Sequence, residues 1–244
     1  MEKIIQGYIL RAVAYQENSA IIDLLTEEGI VSFKARGVFK SGSKLAAAIQ
    51  LYTYGEYQLS YKNENGNKTL VAAKVKDYLR SLFSDLKVSA ILALLAETIF
   101  KNPDEEDWFP IFSEIFKTLK GPFNYGTLVN IILKYNTIYA GSYLNSDNCI
   151  GCGKKKNIVV LSFAYGGFLC ADCAKKYNIP YQDNDFLRYL HYVLKANYDN
   201  SSDFAIPEII AEKMTIDFFE HLNNSSGIKF KCQEIVLDCF KIHL

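Results

Sequence analysis

Cys149-Ile150-Gly151-Cys152-Gly153 and Cys170-Ala171-Asp172-Cys173 are two C-x-x-C turns with 17 residues between them. Two residues between cysteines let one tight turn aim both sulfurs at one point, while the turn's backbone amides face the thiolates. Brought together, two such turns predict a tetrahedral site of four sulfurs, which suits zinc. The spacing falls within the pattern of paired C-x-x-C zinc sites. Four thiolates close the coordination shell and leave no position for water, so the predicted role is structural rather than catalytic. The competing readings are a redox pair, a disulfide framework and an iron–sulfur centre. Two pairs this close are unusual for redox chemistry. Disulfides need an oxidising compartment, and the start, Met1-Glu2-Lys3-Ile4-Ile5-Gln6-Gly7, has neither a basic segment leading into an apolar core nor a small-residue cleavage site. Cys232 and Cys239 lie seven apart in a helical pattern and read as small buried apolar residues.

Outward from these turns, the chain has 244 residues, half of them apolar, and a formal net charge of zero. That length and composition predict two or three packed domains and exclude wholesale disorder. Zero net charge argues against a strongly basic nucleic-acid binder, but the distribution is uneven. Residues 1–80 carry 11 Lys/Arg and 8 Asp/Glu, and the remainder carry 16 and 19. No apolar run approaches the ~18–20 residues needed to cross a bilayer, and the expected location is the cytoplasm, in association with the nucleoid when acting on DNA.

The first 80 residues read as β structure. Runs at 4–14, 20–26, 30–35, 54–61 and 69–75 alternate or are rich in β-branched and aromatic residues. Tyr8, Leu10 and Ala12 are expected on one face of the first strand. In the fourth, Gly55, Tyr57, Leu59 and Tyr61 oppose Tyr54, Glu56, Gln58 and Ser60. Asn63-Glu64-Asn65-Gly66-Asn67-Lys68 reads as a hairpin turn. Five short strands with an interruption after the third fit a small closed barrel of the OB type, and an SH3-like barrel gives nearly the same string.

After Asp77 the apolar period becomes helical. Helices are predicted over 82–100, from a cap at Asp107 through Pro110 to Leu119, and over 128–143; the last is apolar on more than one face and so central to a core. Further helices are predicted over 185–197, 207–222 and 232–242. The predicted architecture is multidomain α+β: an OB-fold barrel over 1–80, a helical domain begun by 81–145 and completed by 178–244, and a four-cysteine segment at 146–177 inserted between its halves.

No catalytic constellation is present among the motifs searched. His191, His221 and His243 have no metal-binding spacing, and no phosphate-binding or nucleophile-elbow motif occurs. Asp104-Glu105-Glu106-Asp107 precedes a helix start and reads as a solvated loop and cap. The chemistry-bearing stretch is Lys34-Ala35-Arg36-Gly37-Val38-Phe39-Lys40-Ser41-Gly42-Ser43-Lys44, with four positive charges and no negative one. Lys34, Arg36, Lys40 and Lys44 suit phosphate contacts, and Phe39 suits stacking on a base. A solvated surface loop is the competing reading; the barrel, whose face and loops commonly bind single strands, favours nucleic acid.

These features occur in one order. Gly7-Tyr8-Ile9-Leu10-Arg11, Ser19 to Thr26, Lys34 to Val38 with Lys40 and Lys44, Leu51 to Leu59, and then Ser162-Phe163 with Gly166-Gly167-Phe168-Leu169-Cys170 resemble the bacterial RecO family along essentially the whole chain. The resemblance implies a non-enzymatic mediator in DNA repair and recombination. It would bind single- and double-stranded DNA, anneal complementary strands, and with RecR help load RecA onto strands covered by single-stranded-DNA-binding protein, whose acidic, apolar C-terminal tail it would contact. Cys149, Cys152, Cys170 and Cys173 would hold one zinc ion; Lys34, Arg36, Lys40 and Lys44 would bind DNA, with Arg11 as a further contact. The rivals are a zinc-ribbon module that contacts only protein, and an enzyme whose barrel holds an oligonucleotide or oligosaccharide.

Overall fold

The computed structural model describes residues 2–61, 66–79 and 84–242. Part of the turn expected at 63–68, Leu82 of the first expected helix, and His243 lie outside the described residues. Contacts divide the chain into two units. One comprises 1–85 with 99–121, the other 86–98 with 122–244. Residues 99–121, placed by sequence in the segment 81–145, thus group with the strands.

The first unit holds five strands: β1 (Glu2–Tyr15), β2 (Ser19–Thr26), β3 (Gly29–Ala35), β4 (Tyr54–Ser60) and β5 (Thr69–Asp77). They close in the order β1-β2-β3-β5-β4, with β4 pairing back onto β1. This is the OB-type barrel. The long β1 makes this possible, because Glu2–Tyr8 pair with β4 and Tyr8–Tyr15 pair with β2. The closing contact is parallel, Lys34 against Thr69, where Lys34 N–H donates to the Lys68 carbonyl at 2.9 Å. Ile9, Ile22, Leu24, Phe33, Tyr57 and Leu59 fill the interior, and Gly55, Tyr57 and Leu59 do alternate inward as the pattern of β4 requires.

The expected face of β1 needs correction. The register shifts between Ile9 and Arg11, leaving Leu10 as an extra residue, and a bulge of one residue reverses every later side chain. Ala12 packs on the barrel core with Ile9. Tyr8 instead turns outward, where Phe109, Phe112 and Phe116 of the next unit-one helix surround its ring at 4.8–5.7 Å.

Two helices follow, α1 (Leu86–Lys101) and α2 (Trp108–Thr118). Asp107 holds the N-cap position of α2 with extended backbone, but its side chain makes no capping bond. The acidic run before it is a solvated turn, as its composition suggested.

The second unit is built on α3 (Tyr125–Tyr139), whose residues are buried on nearly every side. Asn124 caps it, its side chain accepting from Thr127 N–H at 2.8 Å. Helix α3 begins three residues before its expected start, because Tyr125 and Gly126 are held by tertiary contacts. Tyr125 Oη donates to the Val236 carbonyl at 2.8 Å. A Cβ on Gly126 would lie 2.3 Å from the Ala211 Cβ, so only glycine lets the two backbones approach this closely. The remaining elements are β6 (Ile158–Ser162), β7 (Gly167–Cys170), α4 (Ala171–Lys176), α5 (Asn184–Lys195), α6 (Glu208–Ser226) and α7 (Gln233–Asp238). Cys232 and Cys239 are buried thiols at either end of α7, as their spacing suggested. No helix among the described residues is long and apolar enough to cross a membrane.

Candidate metal centre and nucleic-acid interface

The first cysteine turn is closed by its own backbone. Gly153 N–H donates to the Cys149 carbonyl at 2.7 Å, and Cys149 N–H to the Lys154 carbonyl at 2.8 Å. The second pair sits where β7 runs directly into α4, so that Cys170 ends the strand and Cys173 occupies the first helical turn. Ile150 N–H donates to the Phe168 carbonyl at 2.9 Å and fastens the two turns together. On the surface Lys154 and Asp172 pair across them at 2.9 Å. Gly151 has no side chain because a Cβ there would meet the Cys173 sulfur at 2.9 Å. Beneath the turns, Val160, Leu169 and Ala174 form a small apolar cluster with Cys149, Cys170 and Cys173. The four-cysteine segment thus has a small core of its own, organised around its sulfurs.

All four Sγ atoms lie within 4.8 Å of one another, and Cys152 Sγ stands 3.6 Å from Cys170 Sγ. Sulfurs on a zinc tetrahedron with ~2.3 Å bonds stand about 3.8 Å apart, so the cluster matches a metal site of that size. The electrostatics point the same way. Burial opposes a charge on Cys149, but backbone N–H groups of Cys170, Gly151 and Cys152 outweigh it and hold that thiol low, at about 6. Burial and the neighbouring thiols push Cys173 up to about 12. One thiolate is thus favoured by the backbone, while Cys152 and Cys173 resist ionisation unless a cation neutralises them. No histidine among the described residues joins the cluster. His221 shares a hydrogen bond with the Ser142 carbonyl at 3.2 Å, and His191 lies beside Phe168.

The basic stretch leaves β3 and folds over the barrel's rim. Val38 is its anchor, buried in the barrel core as a member of the cluster that also holds Ala35 and Ile49. Phe39 N–H donates to the Asn18 carbonyl at 3.4 Å, which ties the stretch to the β1–β2 turn. With Val38 inside, Arg36, Phe39 and Lys40 are left outside, and Phe39 is 52% exposed. Arg36, Lys40 and Lys44 have no carboxylate partner among the described residues. Lys34 is engaged. Its ammonium donates to Gln16 Oε1 at 2.8 Å and stands 4.4 Å from the centre of the Tyr15 ring. Arg11 is not grouped with them: it pairs with Asp23 at 2.5 Å and lies 4.4 Å over the Phe100 ring.

Tyr15 is an exposed ring beside Lys34 that the sequence reading passed over. It is 44% exposed and sits beside Lys34 on the outer face. Its direction follows from the bulge at Leu10, after which Arg11, Val13 and Tyr15 alternate outward. A β-bulge leaves no mark in period-two counting, so no signal in the linear pattern exposed it.

A closed five-stranded barrel with exposed cations on the stretch after β3, followed by a helical unit carrying a four-thiol cluster, defines a class of two-part protein with an OB-type barrel and a four-cysteine knuckle. Residues 1–79 match the family model described as "Recombination protein O N terminal", and residues 84–216 match "Recombination protein O C terminal". The chain belongs to the recombination protein O family, whose proteins act in DNA repair and recombination. It is similar to the protein named DNA repair protein RecO of Bacillus pumilus (strain SAFR-032), with 30% identity over 196 residues, covering 77% of this chain and 76% of the relative. The protein of the same name from Bacillus subtilis (strain 168) is 29% identical over 197 residues, covering 77% and 76%. That from Staphylococcus aureus (strain MRSA252) is 27% identical over 239 residues, covering 95% of each chain.

Proposed function

We propose that this protein is a non-enzymatic mediator that binds single- and double-stranded DNA, anneals complementary strands, and works with RecR to load RecA onto strands covered by single-stranded-DNA-binding protein. The observation that carries this reading is the rim of the barrel, where Arg36, Lys40 and Lys44 are exposed without carboxylate partners beside the exposed ring of Phe39. Annealing needs no bond chemistry. Cations that hold two phosphate backbones close lower their repulsion, and base pairing supplies the drive. Lys34 would move from Gln16 to a phosphate, exchanging a neutral acceptor for a charged one. Arg11 would be the weakest of these contacts, since Asp23 already neutralises it.

The thiol cluster would hold one zinc ion with Cys149, Cys152, Cys170 and Cys173 as its ligands. Bound there, zinc acts as a brace: it neutralises the thiolates and fixes β6, β7 and α4 around the small cluster of Val160, Leu169 and Ala174. For the acidic, apolar tail of single-stranded-DNA-binding protein, the reading points to a cavity of about 350 Å³ in the second unit, lined by apolar Ile158, Phe168 and Leu187, by basic Lys155, Arg188 and His191, and by Asp147, whose charge Lys195 offsets.

Fluorescence anisotropy with labelled single strands over a salt series tests the barrel reading. Replacing Lys34 and Arg36 by alanine should weaken binding and flatten the log–log salt slope by about 0.7 for each lost phosphate contact. An unchanged slope removes the rim from the interface.

A further inference from the structure

The four-cysteine segment carries a second cluster of rings and cations that a structural brace does not require. Tyr165 stands at the tip of the β6–β7 hairpin, 53% exposed, with its ring 4.8 Å from that of Tyr177 and the two planes within 20°. Tyr177 lies in turn against the first cysteine turn, its Cε2 being 3.4 Å from the place a Cβ on Gly151 would take. Tyr143, 56% exposed, arrives at the same tip, where its carbonyl oxygen borders Gly166. The Lys176 ammonium is 5.7 Å from the centre of the Tyr177 ring. Lys155, Lys156, Lys175 and Lys176 are exposed and unpaired among the described residues, whereas Lys154 is held by Asp172.

A stacked aromatic pair normally belongs to a core, where both faces of each ring are covered. Here Tyr177 is sandwiched between the cysteine turn and Tyr165, and Tyr165 has one face covered and more than half of its surface in water. The open surface matches a flat, unsaturated ligand, and the Lys176 ammonium beside Tyr177 matches an anion attached to that ligand. A nucleobase with its phosphate has both properties. An extended peptide lacks the repeating anion, and a duplex hides its base faces.

We propose that the four-cysteine segment is a second contact for single-stranded nucleic acid, with Tyr165 as the ring on which a base stacks and Lys176 as a phosphate partner. The inference rests on the reading that this chain binds DNA and adds to it a contact on the second unit. Its character differs from that of the rim. Residues 146–177 carry five lysines against two aspartates. A dication with four thiolates would leave two negative charges at the centre and cancel most of that surplus. Stacking, not counterion release, therefore supplies the affinity here, so this contact depends on bases and little on salt.

The test uses the full zinc-loaded chain and two labelled probes of equal length, an oligo-dT strand and an abasic strand. Tyr165→Ala should weaken oligo-dT binding by about tenfold, the cost of losing a stacked base, with an unchanged salt slope. It should leave abasic binding as it was, and Tyr165→Phe should bind both probes as the native chain does. Lys34→Ala with Arg36→Ala should weaken both probes. If Tyr165→Ala binds oligo-dT like the native chain while the rim variant is weakened, the second contact is wrong and the barrel reading stands. If Tyr165→Ala is weakened on oligo-dT alone and the rim variant is not weakened, the second contact stands and the barrel reading falls. A native chain that binds neither probe overturns both. Equal zinc content and unfolding midpoint in the Tyr165 variants show that the fold is intact; equal losses on both probes, or a variant that has lost its metal, overturn the stacking role.

Discussion

Asp23 is a carboxylate only 3% exposed on the outer face of β2, and its oxygens are shared between Arg11 and the hydroxyl of Ser32. Buried charge is stable only when paired and hydrogen-bonded, so this triad locks β1, β2 and β3 in register. Asp23→Ala leaves two donors without their acceptor and should cost about 1–3 kcal/mol, read as a lower denaturant midpoint. Asp217 shows the opposite balance. Burial raises its carboxyl above the ordinary value, while Lys213 pulls it back. A carboxyl whose folded value is raised holds its proton more tightly when folded, so its charge costs stability at neutral pH. That cost disappears below the unfolded value of about 3.9. Asp217→Asn should therefore raise the thermal midpoint at pH 7 and leave it unchanged near pH 3; a variant less stable at pH 7 contradicts this. The four clustered cysteines were legible residue by residue because C-x-x-C spacing is set by a local turn. Tyr15 was not, because its direction depends on a bulge several residues away.

Elements extend this contrast. Helix α5 could be read from sequence because Asp183 starts it, accepting from Asp185 and Phe186 N–H at 2.8 and 3.1 Å, and an apolar face follows at helical spacing. Helix α4 was passed over. Six residues are too few for a periodic signal, and this helix exists because Cys173 must face the other sulfurs and Ala174 the small core. The early start of α3 likewise comes from packing, since Gly126 is a poor helix former taken for its lack of a Cβ. Gly126→Ala should force α3 and α6 apart and cost about 1–3 kcal/mol. The double variant Gly126→Ala with Ala211→Gly should recover much of that loss, and no recovery in chemical denaturation would refute the crossing as the cause. Removal of the proposed zinc is an element-scale experiment too. A chelator, or Cys170→Ser, should abolish amide-exchange protection at Val160 and Leu169 while the barrel amides of Ile22 and Tyr57 keep theirs. Simultaneous loss in both places would show that the brace acts on more than its own segment.

At the scale of the whole molecule, the chain passes between its two units three times, after Asp85, Thr98 and Gly121. A boundary drawn along the sequence cannot reproduce such a division, because α1 supplies residues to both units. The consequence is that strands alone do not make a complete unit. A fragment ending at Asp85 keeps all five strands but lacks Phe109, Phe112 and Phe116, which cover Tyr8. This fragment should bind a hydrophobic dye and unfold without a sharp transition, whereas the full chain should do neither; a cooperative, dye-silent fragment would show that the barrel needs no cover.

By itself the sequence determined the five-strand barrel, the helical remainder, the paired cysteine turns and the basic rim. Each is written in short-range periods or spacings that neighbouring residues enforce. Only the tertiary structure decided which face β1 turns outward after Leu10, that Arg11 is taken by Asp23 while Arg36 is not, that residues 99–121 group with the strands, and that Tyr165 stacks in the open on Tyr177. Those outcomes depend on groups far apart in the chain competing for the same partner or the same buried volume, and no local pattern records who wins.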